Sequence, residues 1–490
     1  MWTRRSFLGG SLAVLAACRR GPLIQTKQPR VTHGVQSGDP QTGSAVVWAR
    51  CDEPARMLIE WDTSEQFASP RRVTGPLVTA DHGHAGTATI GGLPDGQTIA
   101  YRVRFEREAA RGASAWSTGR FRTPRSDAVR VAWTGDTCGQ GFGRSPDWGG
   151  LKGYGAILAA QPDVFVNSGD LMYADNPILA EKPLADGRVW KNITNERVAR
   201  VAETLDDFRA RFEYNYDDEH LRALAAAVPL IAQWDDHEIH NNWWPHQQLP
   251  DPRYKSQRDA SVLAGYALAA TREWTPIGGR TIHRVLHYGP LLDVFVLDCR
   301  SFRTPNDANT GTAAMLGADQ LGWLLAQIKA SRARWKLVAC DQPIALAIDD
   351  GPVWEGWANN VGGAASGREV ELAQLLPALT NAVWITADVH YAAAHHFDPA
   401  RATGTQFQPF WEFVAGPIHA GNFGPNPVDP TFGPEVKYTF GTPAEGQQDV
   451  GPWDGKQSFG TIDVARDALT VTLRDGTGTE QHRVEIPYAG

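Results

Sequence analysis

Residues 163–177 read DVFVNSGDLMYADNP, and the first eight of them decide the fold. Val164-Phe165-Val166 is a short apolar run that stops at Gly169-Asp170, the pattern of a buried strand closed by a turn. Upstream, VRVAWTGD (129–136) is a second apolar run with the same Gly-Asp ending. Between them GYGAILAAQ (153–161) has helical character. Strand, helix, strand predicts an α/β layer.

Working outward, the pattern recurs in PLIAQWDDHE (229–238), LLDVFVLDCR (291–300), KLVACDQ (336–342) and NAVWITADVH (381–390). An amphipathic helix, ADQLGWLLAQIKAS (318–331), precedes KLVACDQ, and residues 198–228 carry alanines and charges at helical spacing. Asp136, Asp170, Asp235-Asp236, Asp341, and Asp388 with His390 all follow such runs. One acid there could be a turn-former. Five together predict a site, because functional residues of α/β sheets gather at the carboxyl ends of strands.

Before Val129 the style differs. SAVVWAR (44–50), MLIEWD (57–62) and IAYRVRFE (99–106) are short, β-branched and aromatic, and punctuated by Gly, Pro and Asp. This predicts a small all-β sandwich over 31–125, followed by an α/β domain over 126–490. A length of 490 residues also favours two domains. A formal charge of -8 argues against nucleic acid as a partner, since phosphate backbones select basic surfaces.

Residues 1–18 read as an export signal. Arg4-Arg5 stand in TRRSFLGG, ahead of SLAVLAA and Cys18, and the apolar run is too short to span a bilayer. Leu15-Ala16-Ala17-Cys18 resembles a lipobox, so the expected product is an exported, periplasmic lipoprotein anchored through Cys18, delivered by the twin-arginine machinery and tethered by residues 19–30. Cys51, Cys138, Cys299 and Cys340 show no CxxC spacing and no disulfide framework. Cys299 and Cys340 read as small buried hydrophobes.

Oxygen ligands, imidazole and a phenolate suit iron or another borderline cation, and two such ions side by side would activate a phosphoryl group. WTGDTCGQGFG (133–143), NSGDLMYADNP (167–177), QWDDHEIHNNWW (233–244), VFVLDCRSFR (294–303) and WITADVH (384–390), with SGDP at 37–40, together resemble the PhoD-like alkaline phosphatases. The GDLMY segment is also similar, more distantly, to that of purple acid phosphatases.

The resemblance implies a metallophosphoesterase fold, an α+β sandwich, behind the N-terminal β-sandwich. It implies hydrolysis of phosphate mono- or diesters by metal-bound hydroxide, at a ferric ion beside a second divalent ion. Calcium is the expected second ion, with manganese or zinc as alternatives. Asp170 is the implied bridge, and Tyr173 and His390 the implied iron ligands. Asp236 and Asp388 are implied at the second ion, and Asp341 falls where a purple acid phosphatase places a histidine ligand. Asp136 and Cys138 compete for the iron, since one branch of relatives uses the aspartate and another a cysteine two positions on. Asp136 is preferred.

His237 resembles the histidine that contacts phosphate or protonates the leaving group, with orientation of Asp236 as its alternative role. Asn241 and Asn242 could bind metal or phosphate oxygens. His395 and His396 read as pocket-wall or solvent-facing residues, and Trp243 and Trp244 as core or rim aromatics. Two other readings stay open: a phospholipid or phosphotriester hydrolase of the same fold, and a non-catalytic exported metal-binding lipoprotein.

Overall fold

Buried strand runs organise the chain. Val164–Asn167, Leu292–Val296, Trp335–Ala339 and Ala382–Thr386 are apolar along nearly their whole length and buried throughout, as strands covered on both faces must be. The computed structural model describes residues 28–108, 112–350, 353–442 and 450–490. The expected signal (1–18) and residues 19–27 of the expected tether lie outside the described residues.

Two large sheets face each other. One runs in the order 480–487, 468–475, 458–465, 128–134, 164–167, 230–232, 31–41, 44–51 and 85–91. The other runs 284–288, 292–296, 335–339, 382–386, 410–414, 392–397 and 434–440. Val131, Val166 and Ile462 from the first sheet pack with Val294, Leu337 and Phe413 from the second. Helices Lys152–Ala159, Leu205–Tyr216, Glu219–Ala227 and Ala260–Trp274 cover the first sheet, and Gly317–Ala330 and Glu369–Leu375 cover the second. The result is a four-layer α/β/β/α sandwich.

Residues 198–204, expected to be helical, are not. The helix starts at Leu205, where the Thr204 side chain accepts from the Asp207 N–H and Asp207 reaches back in a capping box.

The N-terminal segment packs a four-stranded sheet (71–78, 55–62, 98–106, 117–122) over strands 31–41, 44–51 and 85–91, with Val47, Ile59, Tyr101 and Phe121 between them. Those three strands are not separate from the larger unit. Gly38 pairs in parallel with Leu230, so they extend its first sheet. A Cβ at Gly38 would lie 2.5 Å from the Leu230 carbonyl oxygen, so only glycine allows the approach.

The decisive consequence is directional. Strands 128–134, 164–167 and 230–232 run parallel in one sheet, and 292–296, 335–339 and 382–386 run parallel in the other. The acid-bearing turns that follow them meet at one edge of the sandwich.

Candidate metal centre

Several of the turns around these acids bend backbone that side chains usually avoid. Asp136, Cys138, Asp170, Asn242, Asp388 and His390 all have positive φ, between 48° and 67°. Such conformations cost about 1–3 kcal/mol each and persist where surrounding structure enforces them. Here the enforcement is visible. The buried Glu238 carboxylate accepts from the backbone N–H groups of Asp170 (3.2 Å), Leu171 (2.6 Å) and Asp235 (2.7 Å), tying two strand ends together. A Cβ at Gly416, whose φ is 151°, would collide with Asp136 Oδ2.

Two overlapping groups of donors result. Ligand atoms of Asp136, Asp170 and His390 lie within 4.8 Å of one another, as do those of Asp170, Asp236 and His237. Asp170 belongs to both. A third group joins Asp235, Asp236 and Asp388. Tyr173 completes the first: its hydroxyl is 2.9 Å from His390 Nε2, and Asp136 Oδ1 is 3.7 Å from the same nitrogen. His390 Nδ1 bonds the Gly421 carbonyl at 2.5 Å. That fixes the tautomer and aims the Nε2 lone pair at the acids, as metal-ligating histidines require.

The electrostatics fit a cation. Burial, reinforced by neighbouring carboxylates, pushes Asp136, Asp170 and Asp388 well above the usual carboxylate range and raises Tyr173 above the usual phenol value. Burial pulls His390 down to about 4, leaving a neutral imidazole. Asp136 Oδ2 is buried without a hydrogen-bond partner. Carboxylates, a phenol and a neutral imidazole converging in this way are a donor set that could hold a metal ion.

Cys138 is not brought into any of these groups. Its side chain is buried in the hydrophobic cluster with Leu151, Tyr154 and Leu171, and burial pushes the thiol up. Asp341 sits beside Cys299 and Cys340, whose sulfurs are 3.5 Å apart, and is 3.9 Å from Arg300. His395 bonds Glu412 inside the second sheet and His396 packs on Trp411; neither reaches the centre. Trp243 is a core residue against Trp234.

His237 is held from two sides. Its Nδ1 is 2.8 Å from Asp175 Oδ1, and its ring stacks on Tyr173. Burial opposes charge on this imidazole, but Asp175 and Asp236 outweigh it and lift it to about 10. Burial also opposes ionisation of Asp236, yet His237 and Arg300 outweigh that and bring it to about 2.

Sequence reasoning left Asp175, Glu238, Arg300 and Glu355 without roles. Arg300 is fully buried among acids: its Nε bonds Asp235 at 2.6 Å, its Nη2 bonds Glu355, and Asp236 and Asp388 each lie 3.8 Å away. Asp175 could have been noticed as a second acid within the GDLMYADNP segment. Glu355 follows no strand of the recurrent pattern and carried no signal. Of these, Asp175 and Glu355 line a cleft of about 560 Å³, together with Asp236, His237, Asn241, Asn242, Asp388 and His390.

A two-sheet sandwich with acids and histidines gathered at its parallel strand ends defines a metallophosphoesterase-like hydrolase. The chain belongs to the PhoD-like phosphatase family: the PhoD-like phosphatase model matches residues 131–473 and the model of that family's N-terminal domain matches 17–125. It is a phosphatase by class. Alkaline phosphatase D of Bacillus subtilis (strain 168) is 25% identical over 434 residues, 80% of this chain and 70% of that one. The solved structure of PhoD matches with a TM-score of 0.69 at 20% identity, covering 93% of this chain and 88% of the other. A purple acid phosphatase from yellow lupin (Lupinus luteus) seeds matches at 0.59 and 12% identity, covering 94% and 74%. The two structures share the fold predicted for this chain.

Proposed function

We propose that this chain is an exported phosphoesterase that cleaves phosphate mono- or diesters at two metal ions. The observation that carries the reading is the convergence of Asp136, Asp170, Tyr173 and His390, with His390 Nδ1 committed to Gly421. These four residues would hold a ferric ion. Asp236 and Asp388, sharing Asp170, would hold the second ion, for which calcium suits the oxygen-rich set and manganese or zinc are alternatives. When bound, such a pair supplies Lewis-acid activation of the phosphoryl group and of water.

The chain's own residues do the rest. His237, charged at neutral pH and oriented by Asp175, gives a proton to the departing alcohol oxygen. Asn242 donates its backbone N–H to Asp236 Oδ2 at 2.7 Å and holds that carboxylate at the cleft floor. Arg300 balances the surrounding acids without facing the cleft.

Metal analysis of the purified protein, with its visible spectrum, tests the assignment. One iron per chain and a tyrosinate-to-iron band are expected. Hydrolysis of a chromogenic phosphate ester should be lost in Asp170→Asn and on chelation. A wild-type rate in the metal-stripped protein would overturn the reading. Export is tested separately, since Arg4→Lys with Arg5→Lys should retain the protein in the cytoplasm and Cys18→Ala should abolish lipid labelling.

A further inference from the structure

The cleft does not end at the metal centre. Gln140, Asn176 and Arg253 line both the cleft and a second groove of about 340 Å³ bounded further on by Pro177, Leu179 and Lys182. The shared wall is fixed: the Gln140 N–H donates to Asn176 Oδ1 at 2.7 Å, and Gln140 Oε1 accepts from the Gly421 N–H at 3.0 Å. Gly421 also carries the carbonyl that orients His390, so the two cavities share one rigid partition.

Arg253 stands where they meet. Among the described residues lining the cleft it is the one arginine or lysine. Its Nε and Nη2 are bound to Asp251 Oδ2 at 2.8 and 2.6 Å, which sets the plane of the guanidinium. Its Nη1 has no protein partner among the described residues, and about half of the side chain is exposed. Farther along the groove the Lys182 ammonium sits over the Phe142 ring at 4.6 Å. Glu181 is the acid of this lining.

A guanidinium held by one edge and open at the other is a preorganised anion receptor. We propose that the groove is the subsite for the alcohol part of the ester, and that Arg253 selects substrates whose alcohol part carries a second anionic group, a carboxylate or phosphate. The subsite rests on the phosphoesterase reading and narrows it. The scissile phosphate occupies the cleft between His237 and His390. The alcohol part extends over Asn176 toward Pro177 and Leu179, and its anion meets Arg253. Lys182 lies on the same path and favours the longer members of the class.

The test compares phenyl phosphate with 4-carboxyphenyl phosphate, following released inorganic phosphate. The readout is the ratio of the two kcat/KM values, so differences in leaving-group chemistry cancel between protein variants. The wild-type ratio should favour the carboxylated ester and shrink with added salt, because the contact is partly exposed. Arg253→Gln should lower the ratio about tenfold, the scale of a lost charge-assisted hydrogen bond. Arg253→Lys should restore part of it. An unchanged ratio in Arg253→Gln, with both esters still hydrolysed, overturns the subsite and leaves the phosphoesterase reading intact. Failure of the metal-replete wild type to hydrolyse either ester overturns both.

Discussion

The imidazole of His237 lies on the phenol face of Tyr173, with ring centroids 4.2 Å apart and planes inclined by 29°. The same imidazole is gripped at Nδ1 by Asp175. Stacking fixes the ring's plane and the carboxylate fixes its rotation, so Nε2 has one direction left to point. The carboxylate that orients His237 therefore lies two residues beyond the tyrosine.

Replacing Asp175 with Asn removes the charge that holds His237 protonated. Positioned acids contribute about 10²–10⁴-fold to rate, so kcat should fall about 100-fold with an alkyl phosphate. The loss should be smaller with a nitrophenyl phosphate, whose leaving group departs without a proton. Equal losses on the two substrates would remove leaving-group protonation from His237.

Asp136 and Cys138 can be separated by spectroscopy. Asp136→Asn should lower iron content, by more than the roughly 10–100-fold in affinity lost when a partner behind a metal ligand is removed. Cys138→Ala should keep both iron and the visible band. It should cost about 1–2 kcal/mol of stability, because it trims a buried apolar contact. A shifted band in Cys138→Ala would return the thiol to the iron.

Glu238 should matter more than its distance from substrate suggests. In Glu238→Gln the amide turns an N–H toward backbone donors, leaving buried groups unpaired at about 1–3 kcal/mol. Because those donors belong to Asp170, Leu171 and Asp235, metal stoichiometry should fall along with the midpoint of thermal unfolding. Full metal occupancy in a destabilised variant would confine Glu238 to folding.

Asp207 supplies a pH-dependent test of stability away from the metals. Burial raises its carboxyl, but hydrogen bonds from Arg200 and Thr204 outweigh this and hold it below the usual range. A depressed carboxyl stabilises the fold above its unfolded pKa and loses that contribution as pH falls through its folded value. Asp207→Asn should cost about 1 kcal/mol at neutral pH, typical of a lost cap. The gap should narrow only below about pH 4, where the unfolded carboxyl begins to protonate. Urea unfolding at pH 7.5, 5 and 3.5 measures it.

Much of this was readable from the chain. The apolar runs around Val131, Val166 and Val383 had to be buried strands, and each closes on a polar turn, so the sheet layers and the acids at their ends follow from local pattern and burial. Asp136, Asp170, Tyr173, Asp236, Asp388 and His390 were singled out on that basis and by resemblance, and the structure brings them together. The helix expected from residue 198 failed because a capping box at Thr204 and Asp207 overrides the alanine spacing.

What the sequence by itself determined is therefore the set of strands and the chemical character of their ends. Only the tertiary structure decided which ends meet. Asp136 points into the acids while Cys138, two residues on, turns into an apolar cluster, a choice made by left-handed backbone at both positions. Arg300, Glu355 and Glu238 act through buried partners 55 to 68 residues away in sequence. Local periodicity carries no record of such pairings, because charge compensation inside a core depends on distance in space and not along the chain.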